Sequence, residues 1–546
     1  MQDNDLQSGK LLQIPVDLEK LVANQPGTNI IYVSQDVHSK PVFQTWLFKS
    51  QNAGMPIDCR ITEPNVISEM RDRGMRAVEK IEVDQKYLNM ASEIISEAAK
   101  YGASEVHLNM KGGFSTVQFE IDGELRHYRF VSVEDSPYLS RAIYQGLAGT
   151  KEGWWQSLAY QDAQIPDEKL PQGYGLTSAR LVRGPAWPVA KGGGFITIRV
   201  QAEGTHTPES RKGLKKLDYP EGPKGDFPYR SDNPQCRLTE TQLDKLDRMM
   251  SFTNGGIIFT GPTANGKTRL MWECLAQKAR EQPWRRQVWV EDPNELPAPW
   301  AVQMYVPGSR NEEDNGESFA EAARTSLRMA PKTIMFSELR GKTVARAFFW
   351  ACQTGHDGWT SVHANDPFQA PSRIEMLDPV SLHKASFCDP DTIRAYVGVR
   401  LIPLLCDACK VSLTDKPTGV KPRILRDLKT WGGVDGVYLR GGGCPKCSFS
   451  GSLGRQLIME IVLNDEELAK DFIEHGTTIA RRNYRRRRSD ACPALLDQSI
   501  ALVLSGEADP ASIEDKVGPM RPKDVDPGVQ AALRAVDRIE EVVHVA

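Results

Sequence analysis

No eight residues constrain this chain more than Gly261-Pro-Thr-Ala-Asn-Gly266-Lys267-Thr268. The pattern G-x-x-x-x-G-K-[ST] builds a loop whose backbone N–H groups cradle phosphate. Such a loop works at one place in a fold, between the end of a buried strand and the start of a helix. Both flanks are present. Gly256-Ile-Ile-Phe-Thr260 reads as a short buried strand, and Arg269 to Ala279, rich in Leu, Met, Ala and Lys, as the helix. Bare amides and the positive end of the helix then face the anion. Gly261, Pro262, Thr263, Ala264, Asn265 and Gly266 would wrap the phosphates of ATP. Lys267 would place a point charge on the β- and γ-phosphates, and the Thr268 hydroxyl would ligate Mg²⁺.

Three further segments follow at the spacing of a parallel α/β sheet. Val288-Trp-Val290 leads into Glu291-Asp292-Pro293-Asn294-Glu295, Thr333-Ile-Met-Phe336 into Ser337-Glu338-Leu339-Arg340, and Trp359-Thr-Ser-Val362 into His363-Ala-Asn365. Each apolar strand ends in polar groups, and ligands of such sheets bind beyond the strands' carboxyl ends. A carboxylate there holds Mg²⁺ through water or orients the attacking water. Glu338 is the candidate for activating that water; the alternative is a strand-end carboxylate paired with Arg340. Glu291, Asp292 and Glu295 form an acidic cluster, or else a solvated turn. His363 would donate a hydrogen bond to the γ-phosphate, or be a locally satisfied polar group.

With 546 residues the chain has room for two to four domains. Residues 1–85 alternate short apolar runs with polar turns, a small domain of unknown role. Residues 86–200 read as an α/β domain: Leu88, Ala91, Ile94, Ile95, Ala98 and Ala99 fall at helical spacing, with Gly102 as the stop. Val106-His-Leu108, Val117 to Ile121 and Phe195 to Val200 read as strands, with Asp122-Gly123 as a hairpin turn. Residues 201–235 have linker chemistry. Thr239-Glu-Thr-Gln242 resembles a capping box and opens the core of residues 236–402. Residues 403–455 carry the cysteine pairs below, 456–520 a helical region, and 521–546 a tail in which Ala531, Leu533 and Val536 suggest a short helix.

A formal net charge of −3 argues against a protein that coats nucleic acid. No apolar run approaches the ~20 residues of a membrane-spanning helix, and the acidic Met-Gln-Asp-Asn-Asp start lacks a secretory hydrophobic region. A cytoplasmic location with at most peripheral membrane contact is expected. Cys406-Asp-Ala-Cys409 and Cys444-Pro-Lys-Cys447 are two C-x₂-C knuckles 34 residues apart. Four such thiolates would hold a structural Zn²⁺ with no open position, the alternative being unrelated thiol pairs or a redox site. Arg481-Arg482-Asn-Tyr-Arg485-Arg-Arg-Arg488 places six arginines in eight positions. It is a solvated helix face, a contact for an acidic partner or anionic lipid, or a nucleic-acid contact, the last without an accompanying aromatic stacking pattern.

In this order the segments resemble the type II secretion and type IV pilus assembly ATPases. Thr260-Gly-Pro-Thr263 with Gly266-Lys-Thr268 matches the family's Walker A, and Val290-Glu-Asp-Pro293 its Asp box. Ile334-Met335 with Glu338 and Arg340 resembles its Walker B, and Thr354-Gly-His356 with His363 and Asn365 its His box. Tyr101-Gly-Ala-Ser104, His107, Ile121-Asp-Gly123, Gln161-Asp162 and Ile196-Thr-Ile-Arg199 resemble the domain before the motor. The resemblance implies a RecA-like motor core after a PAS-like α/β domain. It implies a hexameric ring with ATP between one subunit's motor and its neighbour's preceding domain, working with an inner-membrane platform protein. Arg324 and Arg328 are the best candidates to complete a neighbour's site; Arg180, Arg183 and Arg199 are weaker ones. The cysteine unit resembles the secretion and pilus-extension motors, which retraction motors generally lack. A conjugative or nucleic-acid translocase and a non-hydrolysing scaffold ring are the alternatives. The chain departs from the family at Ala264-Asn265, Ser337, Lys332 and Gly341. Ala264 would be strained if its φ is positive.

Overall fold

The computed structural model describes residues 18, 21–24, 30–52, 58–63, 67, 85–153, 155–202, 214, 223, 225–233, 236–306, 312–415 and 420–523. The expected helix around Leu533 lies outside them, as does most of 201–235. Near the start, Val22–Asn24 (β1), Ile30–Val33 (β2) and Asp58–Ile61 (β3) form a three-stranded sheet. Phe43 and Trp46, from the helix Pro41–Asn52, pack with Ile31 and Val33.

The amphipathic stretch that follows is the helix Gln85–Lys100, which buries Ala91, Ile94, Ile95, Ala98 and Ala99. It ends before Gly102, whose φ of 68° suits a residue without Cβ. The helix lies on a seven-stranded antiparallel sheet of Glu105–Met110 (β4), Ser115–Ile121 (β5), Glu124–Val131 (β6), Thr150–Lys151 (β7), Gln161–Pro166 (β8), Leu176–Pro185 (β9) and Gly194–Ala202 (β10). Its order is β6-β5-β4-β10-β9-β8-β7. Asp122 and Gly123 both have positive φ, 52° and 80°, and turn β5 into β6 with Ile121 opposite Glu124. That is the geometry for which Asp-Gly hairpins are selected.

The motor domain opens with the helix Glu240–Ser251, capped by the Thr239–Gln242 box. Its sheet holds Gly255–Thr260 (β11), Gln287–Glu291 (β12), Val302–Tyr305 (β13), Thr333–Phe336 (β14), Asp357–Val362 (β15), Ile393–Leu405 (β16) and Ser452–Leu463 (β19). The order is β13-β12-β14-β15-β11-β16-β19, parallel except for β19, which runs antiparallel to β16. β15 separates the phosphate-loop strand β11 from the Glu338 strand β14, the RecA-like arrangement. β11, β12, β14 and β15 are buried along their whole length, as both-sided helix cover requires. Beneath the sheet Lys278 meets Asp357 at 2.9 Å with neither exposed by more than 2%. Thr333 and the Trp359 indole also donate to that carboxylate.

Where a helical region is expected from residue 456, the chain is first a strand. Leu457, Met459 and Ile461 pair across β16 from Leu401, Val399 and Val397. The cysteine-bearing segment is therefore an excursion between two paired strands. It contains the short pair Val411–Ser412 (β17) and Tyr438–Leu439 (β18) and the helix Pro422–Trp431. Ile424, Leu428 and Val437 pack there with Ile500 and Val503 from the C-terminal helices. Phe227 is buried in the motor's second core, so the end of the 201–235 stretch belongs to that packing.

The preceding domain grips the motor. Tyr160, Val182 and Phe195 share one core cluster with Val288, Met304 and Phe336. Arg286 reaches Asn109 and Thr197, and Lys332 pairs with Glu120 at 3.2 Å. His107 lies in this contact, held near Thr197 and kept neutral by burial and by Arg286, Lys332 and Arg199. Among the described residues no helix is long and apolar enough to cross a membrane.

Candidate nucleotide site

The strand ends of β11, β12, β14 and β15 open into a cavity of about 1030 Å³. The loop after β11 forms its floor and the helix Lys267–Glu281 begins from it. Gly261 admits no side chain, since a Cβ would sit 2.7 Å from the Val399 carbonyl oxygen. Gly266, at φ 86°, turns the chain into the helix. Ala264 has φ 60°, so the conditional expectation of strain is met, at a cost of ~1 kcal/mol for a left-handed residue with a Cβ. Asn265 offsets some of this. Its amide donates to Thr263 O at 3.1 Å and its carbonyl accepts from Leu401 N at 3.2 Å, stitching the loop to β16. The Lys267 ammonium donates to Gly261 O at 2.8 Å and Pro262 O at 3.1 Å. Burial lowers its pKa, and Glu338 across the cavity opposes that.

Thr263, Ala264, Asn265, Gly266, Lys267 and Thr268 all line the cavity, as do Glu291, Glu338 and His363. Gly261 and Pro262 do not line it, though Lys267 contacts both of their carbonyls. His363 Nε2 is 3.0 Å from Glu338 Oε1, and Arg340 Nε is 3.2 Å from Oε2. The pairing of Glu338 with Arg340 weighed as an alternative exists, yet the carboxylate still faces the loop. Glu291 is 2% exposed. Its Oε2 accepts from Gln303 at 2.8 Å and Asn294 at 3.1 Å. Burial nonetheless pushes its carboxyl up to about 7. Asp292 and Glu295 complete the acidic wall.

Other candidates are not in this cavity. Arg324 is exposed on the helix Glu312–Ser326. Arg328 pairs with Asp162 of the preceding domain and, with Arg180 and Arg199, lines a second cavity of about 520 Å³. Arg183 is absorbed structurally: it is 2% exposed, donates to the Gln156 and Ala159 carbonyls and stacks 3.9 Å from the Trp155 ring centroid. His356 is turned into its own helix end, 3.0 Å from Ala351 O. Tyr229, Leu401, Arg455 and Leu457 also line the nucleotide cavity. Residue-by-residue reading missed them, because they arrive from distant stretches with no local pattern.

The four knuckle cysteines converge. Sγ separations are 3.8 Å for Cys406–Cys444, 3.9 Å for Cys409–Cys447 and 3.8 Å for Cys444–Cys447, and all four sulfurs lie within 4.8 Å of one another. Tetrahedral Zn–S bonds of ~2.3 Å place sulfurs ~3.8 Å apart, whereas a disulfide needs ~2.05 Å. The amides of Cys444 and Gly451 point at Cys447 Sγ at 3.3 and 3.2 Å, an arrangement that favours thiolate.

The arginine run turns inward. Arg481 pairs with Asp366, Arg485 with Glu460, Arg487 with Asp465, Glu467 and Asp471, and Arg488 with Asp490. Arg481 and Arg485 tie the helix Gly476–Arg487 to Asp366 and to Glu460 of β19, Arg487 to the adjoining helix Glu466–Glu474 and its cap Asp465, and Arg488 pairs locally, while Arg482 and Arg486 are exposed.

A RecA-like core with a phosphate loop, a strand-end glutamate and a second buried carboxylate defines a P-loop ATPase. A family model described as Type II/IV secretion system protein matches residues 229–526; the chain belongs to that family. Type II secretion system protein HxcR of Pseudomonas aeruginosa is 26% identical over 383 residues, 70% of this chain and 67% of HxcR. Type II secretion system ATPase E of Vibrio cholerae is 25% identical over 391 residues, 71% of this chain and 67% of that protein. Type IV pilus assembly ATPase PilB of Thermus thermophilus is 23% identical over 405 residues, 72% of this chain but only 39% of PilB.

Proposed function

We propose that the chain is a cytoplasmic motor, peripheral to the inner membrane. It would act as a hexamer, hydrolysing Mg-ATP to drive pilin or pseudopilin assembly through a membrane platform protein. The observation carrying the catalytic part is the convergence of Lys267, Thr268, Glu291, Glu338 and His363 on one cavity. The assembly role rests on the likeness to type II secretion and type IV pilus assembly ATPases.

In this reading the loop amides and Lys267 hold the phosphates, and the Thr268 hydroxyl ligates Mg²⁺. A Mg²⁺ held there would supply charge neutralisation to the phosphates. Glu338 takes the proton of the attacking water, with Arg340 beside one carboxylate oxygen and His363 3.0 Å from the other; His363 would have to give up that contact to donate to the γ-phosphate. Glu291 orients the water from the other wall. Arg324, exposed outside this cavity, and Arg328, once released from Asp162, would complete the neighbouring subunit's site. The sulfur spacing supports a structural Zn²⁺ at Cys406, Cys409, Cys444 and Cys447, and the extension or secretion branch. Lys267→Ala should reduce phosphate release to background while one zinc per chain is retained. Undiminished turnover in that variant refutes the site.

A further inference from the structure

Gln303 lies in the middle of β13 and is 2% exposed. Its carboxamide has two donors and one acceptor group, and all are engaged on the end of β12 and the loop that follows. Nε2 donates to Glu291 Oε2 and to Leu296 O, both at 2.8 Å, and Oε1 accepts from Ala298 N at 2.8 Å. One side chain therefore ties the Glu291 carboxylate, which Asn294 also contacts at 3.1 Å, to the backbone of the loop that follows it.

The backbone of the same residue faces the other way. Its carbonyl accepts from Trp187 N at 2.7 Å. The adjacent Met304 bridges to Ala186, the Tyr160 hydroxyl donates to Tyr305 O, and the Lys111 ammonium donates to Ala301 O. Residues 301–305 are thus held by four contacts from the preceding domain, while the Gln303 side chain holds Glu291.

We propose that Gln303 is a positioning residue that fixes the Glu291 carboxylate for hydrolysis and keeps it in register with the preceding domain. The proposal rests on the reading of this cavity as the ATP site and of Glu291 as a working carboxylate. A small displacement of β13 by the preceding domain would shift the amide that orients Glu291. Misplacement of a catalytic group by about 1 Å costs up to ~10²-fold in rate. None of Gln303's partners lies in residues 261–268, so nucleotide binding should be spared.

The test uses the full chain. Steady-state phosphate release is measured for Gln303→Leu, Gln303→Glu, Glu291→Gln, Lys111→Met and the doubles of Gln303→Leu with Glu291→Gln and with Lys111→Met. Gln303→Glu keeps the shape and the acceptor for Ala298 N–H but removes the donor, which covers the case in which the leucine variant fails to fold. Melting temperature and affinity for a fluorescent ADP analogue report folding. Expected are a fall in kcat of about tenfold for either Gln303 variant, the scale of one lost hydrogen bond, with KM for ATP within about twofold. Glu291→Gln/Gln303→Leu should be no slower than Glu291→Gln, and Lys111→Met should slow the wild type but not Gln303→Leu. A slow Glu291→Gln beside Gln303 variants of normal kcat, or additive losses in either double, overturns the proposal alone. Normal turnover in Glu291→Gln overturns the reading of Glu291 and this proposal with it.

Discussion

The motor sheet and the cysteine excursion are neighbours held together by opposite means. The four central strands of the motor are buried from end to end, and their alignment follows from apolar packing. The turn around Cys444–Gly451 has Phe449 exposed at 70% and two non-glycine residues, Ser448 and Phe449, at positive φ. Polar contacts, from Arg440 to Ser450 O and from the Ser450 hydroxyl to Cys447 O, hold this turn around the four converging sulfurs. The comparison teaches that the two regions should fail independently, even though they meet along β16 and β19.

The largest effect expected is on the cysteine side. Zinc binding in isolated zinc peptides is worth ~10–16 kcal/mol, so Cys447→Ser should release the metal and expose residues 406–451 to limited proteolysis. The Leu401↔Leu457 and Pro403↔Arg455 pairs lie on the motor side of the excursion, so affinity for an ADP analogue should hold. Loss of nucleotide binding together with zinc would break the comparison.

On the motor side, Lys278→Met leaves Asp357 buried without its ion pair. Breaking a buried pair from one side costs ~3–5 kcal/mol, read as a lower denaturation midpoint with zinc content unchanged. A shift below about 1 kcal/mol, the worth of an exposed pair, would mean that the sheet does not depend on this contact.

The smallest effect is on pH dependence. Glu291 sits near pKa 7 because it is buried, and an acid with a raised pKa is protonated below that value. If it works ionised, kcat should rise as pH climbs from about 6 to 8, and Glu291→Gln should flatten that limb. An unchanged profile in the variant would assign the limb to another group.

Much of this was legible in the sequence where a local pattern carries the physics. The Thr239 box, the Asp122-Gly123 turn, the helix before Gly102 and the strands before Glu291, Glu338 and His363 each depend on neighbours a few residues away, and each stands where the pattern puts it. The strand β19 was hidden because Gln456 to Leu463 is apolar almost throughout, and period alone does not tell a buried strand from a helix there. The pairs made by the arginine run were not legible because charge density says nothing of partners; Asp366 lies 115 residues from Arg481. Tyr229 joins the cavity, and Gln303 reaches Glu291 behind it, only through tertiary packing. Ala264 is the opposite case, a conditional argument about one residue whose condition, a positive φ, is met.

Glu338 is where the account is most exposed, and Glu338→Gln tests it directly. Phosphate release and ATP-analogue affinity should be measured on the same preparation. The predicted result is release reduced ~10²–10⁴-fold, the usual worth of a positioned general base, with affinity unchanged because the loop of residues 261–268 is intact. Release at the wild-type rate would contradict it.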